Sequence, residues 1–329
     1  MMRKAMFITG LLMAVVPLAA QAQVPGAQAA AISGNVKALI EEFNKGNYTD
    51  AAYRFFDVVE NDANQSNQLA AEYFLGASLL KLKYYQPAYY FFSGIVKTGP
   101  NHPFFEKAVE GVVEAADGLK DDLFTPELLM RYYTSEFSRL QPETLNHINY
   151  TIGELAYRKG KLNEAQQFLG VIPASSRYFT RSKYLQGMIY NKANRVADSK
   201  VMFNDIINAT ARNTDDDYQL AVRNLAIMAL ARIDYKNGDF KQSAALYDSV
   251  PRFSSEWIDA LFEAGWTYFR LEDYGTALGR VHTLFAPNYQ GQFQPEAFVL
   301  KATVYYYACL YNEVKATLNE FYKRYKDMP

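Results

Sequence analysis

Four pairs of adjacent residues each place a cation next to a ring or an amide, a combination suited to molecular recognition. They are Tyr157–Arg158, Asn191–Lys192, Tyr235–Lys236 and Phe269–Arg270, and Lys81 is a fifth cation of the same kind. Cations next to rings can bind an extended, partly acidic protein segment. Cations in the last turn of a helix also complement its dipole, for about 0.3–1 kcal/mol each. The two explanations are compatible.

Patterns for reaction chemistry or metal binding are absent from the sequence. His102, His147 and His282 are widely separated, and no His-Glu-x-x-His motif occurs. The sequence also lacks a Gly-rich phosphate loop and a Gly-x-Ser-x-Gly elbow. Glu154 and Glu263 lie in segments far apart in the chain, and nothing in the sequence indicates an acid/base pair. We therefore expect a non-enzymatic protein with no catalytic residue, metal site or cofactor.

Small residues twelve positions apart mark the elements that must carry these side chains. The pairs are Gly76 and Ala88, Gly153 and Ala165, Gly187 and Ser199, Ala231 and Ser243, and Gly265 and Ala277. The intervals from Gly153 to Gly187 and from Ala231 to Gly265 are both 34 residues. Because Gly inside a helix costs about 0.8–1 kcal/mol relative to Ala, its recurrence predicts paired helices that cross where only a small residue fits.

Turn residues complete this repeat pattern. Gly46-Asn47-Tyr48, Gly160-Lys161-Leu162 and Gly238-Asp239-Phe240 each place a Gly where the first helix of a pair ends, a position that often needs a left-handed backbone. With the 34-residue spacing, these motifs make the chain resemble the tetratricopeptide repeat (TPR) superfamily over residues 34 to 325. The segment Trp257 to Tyr325 is also similar to exported TPR proteins of delta-type proteobacteria. The resemblance implies an all-α solenoid, a right-handed superhelix of about seven antiparallel helix pairs, whose inner groove binds peptides or protein segments.

The repeat pattern assigns a set of first-helix residues to that groove. We predict that it is lined by Tyr150, Glu154, Tyr157, Arg158, Tyr184, Met188, Asn191, Lys192, Arg232, Tyr235, Lys236, Phe262, Glu263, Trp266, Phe269 and Arg270. One TPR subclass binds a terminal carboxylate through Lys and Asn at fixed inner-helix positions. The matching positions here, Tyr184 and Met188 among them, contain no Asn pair, so that mode of binding is not expected.

The N-terminal residues have the features of an export signal. Arg3 and Lys4 precede a largely apolar stretch, and Ala20-Gln21-Ala22 is a small-x-small cleavage site. No Cys follows that could carry a lipid anchor. We expect cleavage after Ala22 and a periplasmic protein that is not a lipoprotein. The predicted organisation is a signal peptide (1–22), a flexible segment (23–33), two TPR-like repeats (34–100), a divergent helical pair (101–146) and further TPR-like repeats (147–329).

Charge and composition narrow the possible partners. Removing Arg3 and Lys4 from 34 basic residues leaves 32 against 35 acidic ones, a net charge of −3, which argues against nucleic acid. The mature chain has no apolar stretch long enough to span a bilayer. The single Cys309 is expected to be a small buried packing residue. The expected partners are proteins or peptide segments of the cell envelope, with possible self-association at the C-terminal end.

Three functions remain open at this point. The first is a scaffold or adaptor that binds envelope proteins through its concave groove. The second is an accessory to cell-wall chemistry, or a glycan-binding protein, suggested by the number of aromatic residues in the predicted groove. The third is a chaperone-like carrier of exported proteins.

Overall fold

The computed structural model describes residues 32–211, 216–289 and 294–326. The predicted signal peptide and most of the 23–33 segment lie outside these ranges. The described residues form sixteen α-helices, arranged in eight consecutive pairs, and two short 3₁₀ turns. The helices are α1 (Gly34–Asn44), α2 (Tyr48–Asn61), α3 (Gln65–Lys81), α4 (Tyr85–Thr98), α5 (Phe105–Leu119), α6 (Phe124–Arg131), α7 (Pro142–Arg158), α8 (Leu162–Gly170), α9 (Phe179–Lys192), α10 (Val196–Thr210), α11 (Asp217–Asn237), α12 (Phe240–Asp248), α13 (Trp257–Arg270), α14 (Tyr274–Leu284), α15 (Pro295–Tyr307) and α16 (Tyr311–Tyr325).

The described residues form eight pairs, where the resemblance implies about seven, and α5 with α6 is the least regular of them. Helix α6 has only 8 residues, and a 3₁₀ turn over Ser135–Arg139 extends the unit. The crossing is nevertheless regular. A Cβ atom on Gly111 would lie 2.6 Å from the Phe92 ring, and one on Gly76 would lie 3.0 Å from the same ring. Two glycines from successive first helices thus enclose one buried aromatic residue of α4.

Every turn within a pair contains one residue with a left-handed backbone, as the sequence predicts for its Gly and Asn turns. Their φ angles range from 55° to 91°, and they are Gly46, Lys83, Lys120, Gly160, Asn194, Gly238, Glu272 and Cys309. The prediction that Cys309 is buried is wrong. The residue is exposed because it occupies this turn position, at φ 58°, rather than a helix interface.

The small residues lie at close helix contacts, which confirms the crossing predicted from their spacing. Ser199 Oγ donates a hydrogen bond to the Gly187 carbonyl at 2.8 Å, and Ser243 Oγ donates to the Ala231 carbonyl at 2.8 Å. A Cβ atom on Gly153 would lie 2.7 Å from Leu169 Cγ. Residues larger than Gly, Ala or Ser therefore do not fit at these positions without displacing the second helix.

The pairs stack in sequence order and bury their apolar residues against their neighbours. Each second helix packs against the first helix of the next pair, and first helices contact each other from α1 to α3, α3 to α5, α5 to α7, α7 to α9, α9 to α11 and α13 to α15. These contacts, with the Arg232–Glu263 pair between α11 and α13, join the first helices into one surface, called the inner face below. Among the described residues, no helix is both long and apolar enough to cross a bilayer.

Candidate partner-binding face

The sixteen predicted groove residues lie on α7, α9, α11 and α13, the first helices of the fourth to seventh pairs. The structure brings four of them together around one cleft of about 240 Å³, the Trp266 cleft. Helix α11 contributes Arg232 and Tyr235, α13 contributes Glu263 and Trp266, and α12 adds Tyr247. The cleft thus spans two consecutive pairs.

A hydrogen-bonded network forms the polar side of the Trp266 cleft. Arg232 Nε and Nη2 donate to the two carboxylate oxygens of Glu263 at 2.7 and 2.6 Å. Tyr247 Oη donates to Glu263 Oε2 at 2.7 Å. The bidentate geometry fixes both charged side chains in the cleft wall. Because the Arg232 and Glu263 side chains remain 49% and 24% exposed, the pair itself contributes at most about 1 kcal/mol to stability.

The network shifts the ionisation of its members. Hydrogen bonding to Glu263 raises the pKa of Arg232. Burial raises the pKa of Tyr247, and the neighbouring Glu263 carboxylate raises it further. Both residues therefore keep their protons, and the negative charge of Glu263 is neutralised within the wall. What the cleft offers a ligand is the ring surface of Trp266 and Tyr235 beside paired polar groups, an environment suited to an apolar or aromatic side chain.

The repeat pattern missed Tyr247 because the predicted groove was limited to first helices. A signal was present in the sequence. The residue four positions after each second-helix small residue is Phe92, Leu169, Phe203, Tyr247 or Val281, and only Tyr247 has a hydroxyl group. A buried hydroxyl needs a hydrogen-bond partner, and here the partner is Glu263.

Several predicted groove aromatics are packing residues instead. Tyr150 is buried, because Tyr178 at the start of α9 stacks on its ring at 5.4 Å between centroids. Its burial also raises its pKa. Tyr184 and Met188 pack against the cluster that contains fully buried Phe203. The prediction that Tyr150 lines an accessible groove is therefore wrong, and Tyr184 and Met188 are only partly accessible.

The row of cations lies in the last turns of first helices, as the helix-dipole explanation expects. Arg158 forms ion pairs with Asp122 at 2.9 Å and with Glu154 at 2.8 Å. Arg270 lies over the Phe240 ring, 4.4 Å from its centroid. Two cations of the row, Arg158 and Arg270, thus already contact other side chains of the protein. All five cations of the row are exposed, and partly exposed Asn191 lies next to Lys192.

Comparison with known proteins places the fold. No protein-family model matches the sequence, and no curated protein matches it. The crystal structure of apo RapI is similar over 88% of this chain and 85% of that one, with 9% identity and a TM-score of 0.56. Together with the 34-residue spacing and the small-residue crossings, this similarity decides the architecture. The chain is a TPR-like α-solenoid.

Two further solved structures are more distant. A chain of the Cut9–Hcn1 hetero-tetramer of APC/C matches with 13% identity over 85% of this chain, with a TM-score of 0.44, and this chain spans only 50% of its length. A tetratricopeptide repeat protein from Parabacteroides merdae matches with 11% identity over 90% of this chain and 95% of its own, with a TM-score of 0.36. Because both TM-scores are below 0.5, no conclusion about this chain rests on these two structures.

Three further predicted aromatic residues pack within the solenoid. Phe262 and Phe269 pack with the buried cluster that α14 and α15 form, and Phe269 contacts Tyr307 at 5.1 Å between centroids. Tyr157 packs against the cluster of the fourth pair, which contains Leu169. These rings help to hold neighbouring TPR-like pairs together.

His102 lies in the connection between α4 and α5, His147 lies in α7 and His282 lies in α14. His102 is buried, and its Nδ1 accepts a hydrogen bond from the Phe104 amide at 3.2 Å. His147 stacks on Tyr178 at 4.8 Å between centroids, and His282 is exposed in the last turn of α14. Two of the three thus have packing or turn-forming roles, in keeping with the structural interpretation of the sequence.

Proposed function

We propose that this protein is a non-enzymatic scaffold or adaptor that binds extended segments of protein partners through its inner face. The observation that carries the proposal is the Trp266 cleft, which two successive pairs build from rings and fixed polar groups. Trp, Tyr and Arg are the residues that most often dominate protein interfaces. In a solenoid, the surface of consecutive first helices follows an extended ligand from one pair to the next.

The proposal includes a periplasmic location and partners in the cell envelope. Its support is the N-terminal sequence, with Arg3 and Lys4 before an apolar stretch and a small-x-small site that ends at Ala22. N-terminal sequencing of the protein from a fractionated cell tests this directly. A mature form that begins at Gln23 in the periplasmic fraction is the expected result. An uncleaved chain in the cytoplasmic fraction contradicts the location.

Site-specific photocrosslinking tests the inner face. A photoreactive phenylalanine analogue at Trp266 should crosslink to discrete envelope proteins in living cells. The matched control places the analogue at Val201, which is 53% exposed on second helix α10 of a neighbouring pair. Equal crosslinking at both positions, or none at Trp266, contradicts a partner site on the inner face.

The other two functions give different results in parallel assays. A glycan-binding accessory should sediment with purified peptidoglycan, whereas a protein adaptor should not. A chaperone-like carrier should crosslink to many unrelated chains instead of a few discrete ones. Self-association through the C-terminal pair stays a prediction. Leu318 and Tyr322 are exposed on α16, so the variant Leu318→Glu should lower any sedimentation coefficient that exceeds the monomer value.

A further inference from the structure

A second cleft, of about 330 Å³, lies between the N-terminal ends of α9 and α11. We call it the Arg181 cleft. It is lined by Arg177, Tyr178, Arg181, Asp216, Tyr218 and Gln219. None of these residues belongs to the predicted groove set, and the cleft differs from the Trp266 cleft in its chemistry. Its walls are mostly polar and carry two guanidinium groups and one carboxylate, that of Asp216.

Arg181 is held in a fixed orientation but lacks a hydrogen-bond partner for one buried donor. Its guanidinium carbon lies 3.7 Å from the centroid of the Tyr218 ring and 5.7 Å from that of Tyr150. Its Nε atom is buried without a hydrogen-bond partner among the described residues. Burying an unsatisfied donor of a charged group is unfavourable. Because Arg181 lines the cleft, a ligand oxygen there can accept from its guanidinium group.

The other charged groups of the cleft are already engaged. Asp216 Oδ1 accepts hydrogen bonds from the amides of Tyr218 and Gln219 at 3.0 and 3.2 Å, which caps α11. Arg177 donates to Tyr178 Oη at 2.6 Å, and its Nε lies 3.6 Å from a Glu143 carboxylate oxygen. Arg181 is therefore the cation of this cleft that no carboxylate of the described residues neutralises.

The end of α9 favours the same kind of ligand. Helix α9 begins without a side-chain cap and without an acidic residue in its first turn. The amide groups and the dipole of a helix N-terminus attract negative charge. Combined with the unpaired Arg181 edge, this makes the cleft complementary to a carboxylate, which accepts two hydrogen bonds from a guanidinium.

Helix α11 connects the two clefts and sets the distance between them. Tyr218 lies in its first turn and belongs to the Arg181 cleft, whereas Arg232 lies near its other end in the Trp266 cleft. At 1.5 Å per residue, they are about 21 Å apart along the helix, and nearly four full turns place them on similar sides. An extended chain covers this distance with about six residues.

We propose that the Arg181 cleft binds an acidic side chain of the same extended protein segment whose apolar side chain occupies the Trp266 cleft. This rests on the proposed function, since it requires a protein segment along the inner face. The spacing follows from α11: the acidic and the apolar residue of the partner lie about six residues apart. The partner is thereby defined by two chemical groups and one distance.

Synthetic peptides test the proposal against the purified full-length protein by fluorescence anisotropy. The probe peptide has one Glu and one Trp six positions apart in a Gly/Ser chain, and its partner peptide has Gln in place of Glu. We expect the Glu peptide to bind about tenfold more tightly, as expected for a hydrogen-bonded charge pair. Shortening the spacing to three positions should remove most of this advantage.

Protein variants locate the effect. Arg181→Gln should abolish the difference between the Glu and Gln peptides, and Arg181→Lys should restore only part of it because the ammonium group lacks the bidentate fork. The matched control is Arg195→Gln. Arg195 also lies over a tyrosine, 4.5 Å from the Tyr190 centroid, but its Nε already pairs with Asp198 at 2.8 Å. This control should keep the full preference for Glu.

His147 provides a readout beside the cleft, because its ring stacks on the lining residue Tyr178. Burial lowers the pKa of His147; Asp117 and Glu143 act to raise it, and Arg177 and Arg181 act to lower it. A bound carboxylate offsets the two arginines, so the His147 pKa followed by NMR should rise when the Glu peptide binds. Acetate and inorganic phosphate serve as free-anion probes. They should need far higher concentrations for the same shift.

Each outcome supports or overturns the inference. Equal affinity of the two peptides, or an unchanged preference in Arg181→Gln, overturns it. A His147 shift as large with acetate or phosphate as with the peptide at equal concentration shows a free-anion site and also overturns the role in partner binding. The crosslinking experiment tests the proposed function separately from this inference. Crosslinking at Trp266 can succeed while the Glu preference is absent, or the preference can exist while no crosslink forms in cells.

Discussion

Replacing Gly187 with Ala tests whether the small residues really set the distance between paired helices. An added Cβ atom would lie 2.7 Å from Cε1 and 2.8 Å from Cζ of Phe203. To reach the ordinary contact limit of 3.4 Å, the ring or the helix has to move by roughly 0.7 Å. Phe203 is fully buried, so the ring has little room to move. The shift would also stretch the hydrogen bond from Ser199 to the Gly187 carbonyl.

Two opposing effects determine the result. Ala is favoured over Gly inside a helix by about 1 kcal/mol, whereas overfilling a packed core costs about 1–3 kcal/mol. The matched control is Gly279→Ala in α14, where an added Cβ meets no atom within 4 Å. The control should stabilise the protein by about 0.5–1 kcal/mol. Gly187→Ala should be less stable than the control by the whole overfilling cost, about 1–3 kcal/mol.

Hydrogen exchange of the α9 and α10 amides, with a urea titration of the whole chain, measures the difference. Local exchange is needed because pairs of a solenoid can open separately. Gly187→Ala should lower the free energy of unfolding less in a Phe203→Leu background than beside the intact Phe203 ring, because the smaller side chain leaves room for the added methyl group. If Gly187→Ala is as stabilising as Gly279→Ala, the crossing is not tight and the explanation of the small residues is wrong.

Three further predictions concern the turns and the buried titratable groups. Glu272 has φ 61°, so Glu272→Gly should raise the free energy of unfolding by about 1 kcal/mol, which a higher urea midpoint would show. Asn194→Gly, at φ 58°, should raise it less. Burial raises the pKa values of Tyr150 and Tyr247, so stability should fall as pH rises above about 10, where unfolded tyrosines ionise. Alkaline urea titrations should show that fall, and Tyr247→Phe should reduce it. Burial lowers the pKa of His102, so stability should also fall as pH drops below about 6.5. Equal urea midpoints above and below a pH of about 6.5 would contradict this.

The repeat pattern predicts backbone features better than side-chain environments. Small residues at Gly187 and Ser199 report directly on the helix crossing, because sterics allow little else there. Gly and Asn in the turns report equally directly on the left-handed backbone. Cys309 occupies the same kind of turn, but its residue type does not reveal it, since four of these turns tolerate residues other than Gly or Asn.

Side-chain environments depend on neighbours that the pattern does not specify. Tyr150 is buried because Tyr178 of the next pair covers it, a contact between residues 28 positions apart. Arg158 is engaged by Asp122 from the irregular third pair, which no repeat position predicts. Such contacts cross from one pair to the next, and they decide which predicted groove residues stay accessible.

Several residues of the Arg181 cleft lie in the connections before first helices, outside the regular repeat positions. Arg177 and Tyr178 belong to the connection before α9, and Asp216 belongs to the connection before α11. Connections vary more freely than helix crossings, because they carry no small-residue constraint and run along the surface. The crossings fix the relative positions of the paired helices, whereas the connections place different charged residues at the ends of first helices. In the proposed binding mode, a partner has to match both the chemistry of a variable connection and a distance set by the length of α11.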